Sequence, residues 1–213
     1  MKKVAVVLSG CGVFDGTEIN EAVLSLLSLE EQGISYECFA PSITFTSIDH
    51  TNSSEDETRN VLKESARITR GEISSLDELS SADFDALVVV GGFGVAKNLS
   101  NFAFESDFQM LPVFEKVLFD FKEKNKWVAL MCIAPVVLPF VYDKPVCTIG
   151  NDEGVSSFIK SNGGEHVICQ VDDIVCDDRN LLITTPAYML ANNLMDARKG
   201  ISKMMSKLAE VVT

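Results

Sequence analysis

Cys132 is the residue whose type and placement carry the most chemistry. It closes the apolar run Trp127-Val128-Ala129-Leu130-Met131 and opens Ile133-Ala134-Pro135. A strand that turns sharply into a helix lifts the junction side chain outward and leaves backbone N–H groups free beside it, as a nucleophile elbow requires. A helix N-terminus also favours the thiolate, the attacking form of cysteine. Small residues two positions either side would suit that turn; Ala134 obeys and Leu130 does not. A free cysteine ending a buried strand is as readily a small core residue. Position alone leaves both readings open.

Such a nucleophile needs a proton carrier and a donor for a developing oxyanion. Glu18 and Glu21 open the first helical segment, three residues apart and near one face. One of them could reach the crevice beside Cys132, where burial would raise its pKa toward neutrality. Acidic residues also stabilise a helix N-terminus without doing chemistry, with Thr17 as a candidate cap. Gly91-Gly92 ends the run Ala86-Leu87-Val88-Val89-Val90 and could aim a backbone N–H at an oxyanion. A turn needing positive φ explains it equally well.

Other motifs narrow the chemistry. Gly10 and Gly12 frame Cys11, but a dinucleotide fingerprint would need glycine where Asp15 stands. His50 falls in a polar stretch and His166 at the start of a short predicted strand, so no Cys-His-Glu triad is expected. Without a CxxC pair or a histidine cluster, neither a metal nor another cofactor is expected.

The elements that would position these residues alternate in type. Val4–Leu8, Tyr36–Ala40, Ala86–Val90 and Trp127–Cys132 read as strands, as do shorter runs at Val146–Ile149, His166–Cys169, Ile174–Cys176 and Leu182–Thr184. Helical spacing marks Ile19 to Gly33, Glu57–Arg70, Phe108–Lys124 and Met189–Val211, while Thr44–Asp56 reads as an exposed loop. Strands alternating with helices imply one doubly wound α/β domain over residues 1–213, a mostly parallel sheet with helices on both faces. Ligands of such sheets bind beyond the carboxyl ends of the strands, where strand order reverses. The loops Ser9–Thr17, Gly91–Leu99 and Cys132–Pro135 are therefore the candidate site.

Charge and cysteine content set limits on partners. Thirty-one acidic against 18 basic residues give a net charge of −13, which repels phosphate backbones and anionic lipid. Neither nucleic acid nor membrane is an expected partner. The six cysteines lie largely in apolar runs rather than in disulfide spacing, and no secretory-type apolar stretch appears. A cytoplasmic protein with reduced thiols is expected.

Several longer stretches resemble one family. Ser9-Gly10-Cys11-Gly12-Val13-Phe14-Asp15-Gly16-Thr17-Glu18-Ile19, Glu57-Thr58-Arg59-Asn60-Val61-Leu62 and Arg67-Ile68-Thr69-Arg70-Gly71 are among them. Gly91-Gly92-Phe93-Gly94-Val95-Ala96-Lys97-Asn98-Leu99-Ser100, Met131-Cys132-Ile133-Ala134-Pro135 and Thr184-Thr185-Pro186-Ala187-Tyr188-Met189-Leu190 complete the set. Together they resemble the ElbB family (the sigma cross-reacting, or isoprenoid biosynthesis, proteins with an amidotransferase-like domain). That family belongs to the ThiJ/PfpI branch of the class I glutamine amidotransferase-like superfamily. The resemblance spans nearly the whole chain.

The resemblance implies a flavodoxin-like fold, a homodimer and a reactive Cys132. It implies that Glu21 hydrogen-bonds that cysteine, with Glu18 as runner-up, and that the N–H groups of Gly92 and Ile133 serve an oxyanion. Related glutaminases and proteases pair the cysteine with a histidine, whereas this chain has Ile133 after it and Thr185-Pro186-Ala187-Tyr188 in the late segment. The implied activity is a glyoxalase or deglycase reaction on a small dicarbonyl substrate or glycated group, glyoxal going to glycolate. A redox-sensing or binding protein using the same cysteine is the alternative.

Overall fold

A computed structural model describes residues 2–104 and 107–212. In chain order the elements are β1 (Lys3–Val7), α1 (Ile19–Glu31), β2 (Ser35–Ala40), β3 (Thr44–Asp49), β4 (Ser54–Asn60) and α2 (Val61–Ile68). Next come β5 (Ser74–Ser75), β6 (Ala86–Val89), α3 (Phe93–Lys97), α4 (Pro112–Glu123) and β7 (Trp127–Met131). The chain continues through β8 (Val146–Cys147), α5 (Glu153–Ser161), β9 (Glu165–His166), β10 (Val175–Asp177), β11 (Leu182–Thr185) and α6 (Leu194–Val211).

Seven strands form the main sheet in the order β10-β11-β7-β6-β1-β2-β5. All its pairings are parallel except the β10–β11 edge. The three central strands β1, β6 and β7 are apolar at nearly every position because both faces are covered, and every residue is buried except the first of β1 and of β7. From β1 the chain steps one way to β2, and from β6 it steps the other way to β7. Right-handed crossovers then put α1 and α4 on opposite faces. The reversal falls between β1 and β6, and the crevice beyond their carboxyl ends is the natural ligand position. The doubly wound, mostly parallel sheet expected from the alternation is thus present.

The structure departs from the sequence reading in its polar and short elements. Thr44–Asp56 is no loop: β3 and β4 pair as an antiparallel hairpin with a register irregularity between Thr46 and Ile48. Its outward positions are polar, and Phe45 and Ile48 alone are too few to show a period of two. The helix expected from Glu57 begins at Val61, because Glu57–Asn60 belong to β4 and the Asn60 side chain caps α2 by accepting the Lys63 N–H. The helix expected from Phe108 begins at Pro112, which lacks an N–H and suits a first helical position. The strand expected over His166–Cys169 ends at His166, and β8 and β9 form a small separate sheet. The last helix starts at Leu194, capped by Asn193, rather than at Met189. All six cysteines are free, and no described helix is long and apolar enough to cross a membrane.

Candidate active site

Cys132 stands at the end of β7 with φ +59°, a left-handed conformation that costs a non-glycine residue free energy. Its N–H is held by the carbonyl of Thr185, at the end of the neighbouring β11, at 3.1 Å. The strained turn is thereby fixed by sheet pairing on one side and by the segment Ala134–Phe140 on the other. That segment is a 3-10 helix, with Pro135 in its first turn. Cys132 is 7% exposed, and the backbone N–H groups of Gly92 and Ile133 lie near enough to its sulfur to favour the thiolate.

Glu21 reaches the same place from the first turn of α1, and it is fully buried. Its Oε1 accepts the Tyr188 N–H at 3.0 Å. Its Oε2 has no hydrogen-bond partner of good geometry and lies against Gly91 and Cys132. Position 91 must be glycine for this to happen, since a Cβ there would overlap both the Cys132 Cβ and Glu21 Oε2. Gly92, with φ +102°, makes the following turn into α3 and abuts the backbone of Gly16–Glu18.

Glu18 does something different. It is 7% exposed, and its Oε2 accepts the Glu21 N–H at 2.6 Å, which makes it the N-cap of α1. Thr17, the expected cap, instead accepts the Ser9 N–H on its Oγ1 at 2.7 Å. The carboxylate beside the cysteine is Glu21, and Glu18 holds the helix that carries it.

Burial dominates the electrostatics. It pushes the Glu21 carboxyl up to about 8, with the Tyr188 N–H pulling the other way and the nearby Glu18 adding to the rise. Burial also raises Glu18, opposed by the N–H groups of Glu21 and Asn20. The Cys132 thiol is pushed well up, first by burial and then by the charge of Glu21, while the Gly92 and Ile133 N–H groups pull it down. The expectation that a helix N-terminus would lower this thiol is therefore corrected: desolvation outweighs the donors. A protonated Glu21 relieves the second cause, so the two groups behave as one coupled acid.

The remaining candidates lie elsewhere. His50 stacks on Phe14 with ring centroids 4.8 Å apart and accepts the Phe14 N–H on Nε2, while Nδ1 lies 2.8 Å from the Ile48 carbonyl. Asp15 accepts the Ile48 N–H at 2.6 Å, tying the β3–β4 hairpin to the first loop. His166 accepts the Ile149 N–H and is held below the usual histidine range by burial and Lys160. Neither histidine joins the cysteine. Among the described residues no group of three or more His, Cys, Asp or Glu is placed to hold a metal. Tyr188, whose backbone clamps Glu21, was not a candidate from the sequence because a backbone donor leaves no residue-type signal.

A cysteine on a strained elbow at the carboxyl edge of a mostly parallel sheet, one strand from its switch point and facing a buried glutamate, fits the DJ-1 and ThiJ/PfpI architecture. DJ-1beta of Drosophila melanogaster shares this fold, with a TM-score of 0.60 at 19% identity over 98% of this chain and 90% of that one. No family model matches the chain. It is 41% identical to the rat ES1 protein homolog, mitochondrial, over 98% of this chain and 84% of that protein. Identity is also 41% to the human glutamine amidotransferase-like class 1 domain-containing protein 3, mitochondrial, over 98% of this chain and 83% of that one. The crystal structure of an isoprenoid biosynthesis protein with amidotransferase-like domain from Ehrlichia chaffeensis superposes with a TM-score of 0.93 at 36% identity, covering 100% of both chains. The chain belongs to the family of the ES1 and glutamine amidotransferase-like class 1 domain-containing proteins.

These relatives overturn the cytoplasmic expectation, since both the rat and the human protein are named mitochondrial. Free thiols fit a reducing environment, a property that does not single out the cytosol.

Proposed function

We propose that this protein is an enzyme of the glyoxalase type, as its resemblance to the ElbB family implies, acting on a small dicarbonyl compound or a glycated group. The observation that carries the reading is the unpartnered Oε2 of Glu21, buried against the Cys132 side chain with two backbone N–H groups at the sulfur. A buried carboxyl oxygen without a hydrogen-bond partner is costly and uncommon in folded proteins, and a role in proton transfer accounts for its retention.

With glyoxal the steps balance as follows. Loss of one proton from the pair leaves a single negative charge, and when it rests on sulfur the thiolate adds to an aldehyde carbon. An S–C bond forms, the C=O π bond breaks, and the oxygen is steadied by the Gly92 and Ile133 N–H groups until Glu21 protonates it. The Glu21 carboxylate then removes the proton from that carbon and returns one to the neighbouring carbon, while the hydroxyl proton of the first carbon passes to the second oxygen, so the first becomes a carbonyl and the second a hydroxyl. One carbon is oxidised and the other reduced, giving a thioester of glycolic acid. Water cleaves the thioester, releasing glycolate and restoring the thiol. The chain and water supply every group that these steps need.

The homodimer is part of the proposal: Ile19, Val23 and Leu27 form an exposed apolar stripe along α1, at i, i+4 and i+8. Turnover of glyoxal, followed by NMR in the native protein and in Glu21→Gln, tests the catalytic reading; sedimentation tests the dimer.

A further inference from the structure

Two loops meet beside the reacting groups, and one side chain ties them together. The first, Ser9–Thr17, follows β1 and leads into Glu18, the N-cap of the helix that carries Glu21. The second is Gly91-Gly92 after β6, from which α3 runs to its C-cap, Asn98. Asn98 is 6% exposed, and its Nδ2 donates to the carbonyls of Ser9 and Asp15, both at 2.8 Å. Only the NH2 end of an amide can face two carbonyl oxygens, so both of its hydrogens are engaged. Ser9 and Asp15 stand at the two ends of the first loop, and Asn98 closes its neck.

The neck leaves no room for further side chains. A Cβ on Gly16 would overlap the backbone of Gly10 and Cys11, and one on Gly94 would overlap Ser9 and Gly16. From the neck, backbone hydrogen bonds run to the site. The Gly94 N–H donates to the Gly16 carbonyl at 2.8 Å, and the Glu18 N–H donates to the Gly91 carbonyl at 3.0 Å. The Gly91 carbonyl and the Gly92 N–H belong to one planar peptide unit, so holding the first sets the direction of the second. That second group is the N–H that favours the Cys132 thiolate.

We propose that Asn98 is a positioning residue for the Gly92 N–H: by closing the Ser9–Asp15 neck it holds the Glu18 amide on the Gly91 carbonyl and so aims that peptide at Cys132. This inference rests on the functional reading above. Its effect reaches the sulfur through the loop, so a loosened neck displaces the donor without removing it. A displaced donor weakens the steps in which charge develops on sulfur or oxygen and leaves the first binding of substrate nearly as it was.

Asn98→Ala removes both bonds at the neck. The kcat for glyoxal should fall at least about tenfold, with KM changed less than about twofold. The pH midpoint of Cys132 alkylation by iodoacetamide, read on the Cys132 peptide by mass spectrometry, should rise by about half a unit or more, because a displaced N–H steadies the thiolate less. Asn98→Ser keeps one donor and should fall between the native protein and Asn98→Ala; it decides the matter if the alanine variant does not fold. Asn60→Ala removes the cap of α2 and controls for a general loss of stability. It should keep the native kcat and the native midpoint. An unmoved midpoint in the Asn98 variants overturns the proposal, as does an equal change in Asn60→Ala, which marks a structural role. No glycolate from the native protein sinks the proposed reaction, and the alkylation midpoint alone then decides the inference: a rise confined to the Asn98 variants upholds it.

Discussion

Glu21 and Cys132 meet across a glycine: Oε2 of the first and the Cβ of the second both occupy the space that a side chain on Gly91 would need. One comes from the first turn of α1 and the other from the end of β7, so the pair exists only when the switch point of the sheet is closed. Its geometry ties the fold's stability to the site.

Gly91→Ala should therefore disrupt both. The Cys132 Cβ is fixed by its own backbone and the Glu21 carboxyl is fully buried, so neither has much room to shift, and overpacking of this kind costs about 1–3 kcal/mol. Urea unfolding should show the loss, and the alkylation rate of Cys132 should change with it. A variant of native stability and native thiol reactivity would contradict the packing described.

The raised Glu21 pKa makes a signed prediction about stability. In the folded protein the carboxyl holds its proton up to about 8, whereas the ordinary value is 4.5. The folded state thus binds more protons between these values, and stability falls as pH rises through that window. In a Cys132→Ser background, which removes the thiol's own titration, the slope should reach at most about 1.4 kcal/mol per pH unit. Adding Glu21→Gln should flatten it. Chemical unfolding at intervals from pH 5 to 8.5 checks this, and parallel curves for the two proteins would mean that Glu21 titrates normally.

The positive φ of Cys132 predicts an inversion of the usual glycine penalty. Cys132→Gly should be more stable than Cys132→Ala by about 1 kcal/mol, because only glycine adopts this conformation without strain. Thermal unfolding of the two inactive variants gives the comparison directly. A less stable glycine variant would show that the elbow is not strained.

Glu18 and Glu21 should separate in their effects. Glu18→Ala removes the N-cap of α1 and should cost about 1 kcal/mol of stability, with glyoxal turnover reduced less than tenfold. Glu21→Gln should lower turnover by at least about a hundredfold, in the range for loss of a general acid–base group. Equal losses of turnover in both variants would place the proton carrier at Glu18 instead.

These contrasts also show what could be read from residue order and what could not. The strands around Val4, Ala86 and Trp127 announce themselves because burial on both faces demands continuous apolar runs, and with them come the switch point and the elbow. The β3–β4 hairpin does not, since its polar residues face solvent and it is held by the carboxylate of Asp15, a contact far away in sequence. Glu18 and Glu21 are alike in type and spacing; the direction in which α1 leaves the sheet decides which one meets the cysteine. The raised thiol was hidden for a related reason, because burial of Cys132 depends on segments that pack over it. Tyr188 acts on Glu21 through an amide that every residue but proline has, and no side-chain pattern marks it.

The most direct test is to incubate the native protein and Cys132→Ser with carbon-13 glyoxal and follow the products by NMR across pH 6 to 9. The account predicts glycolate from the native protein, at a rate that rises toward the Glu21 value near 8 as the pair loses its first proton, and none from the serine variant. No glycolate from the native protein, or equal glycolate from both, would contradict it.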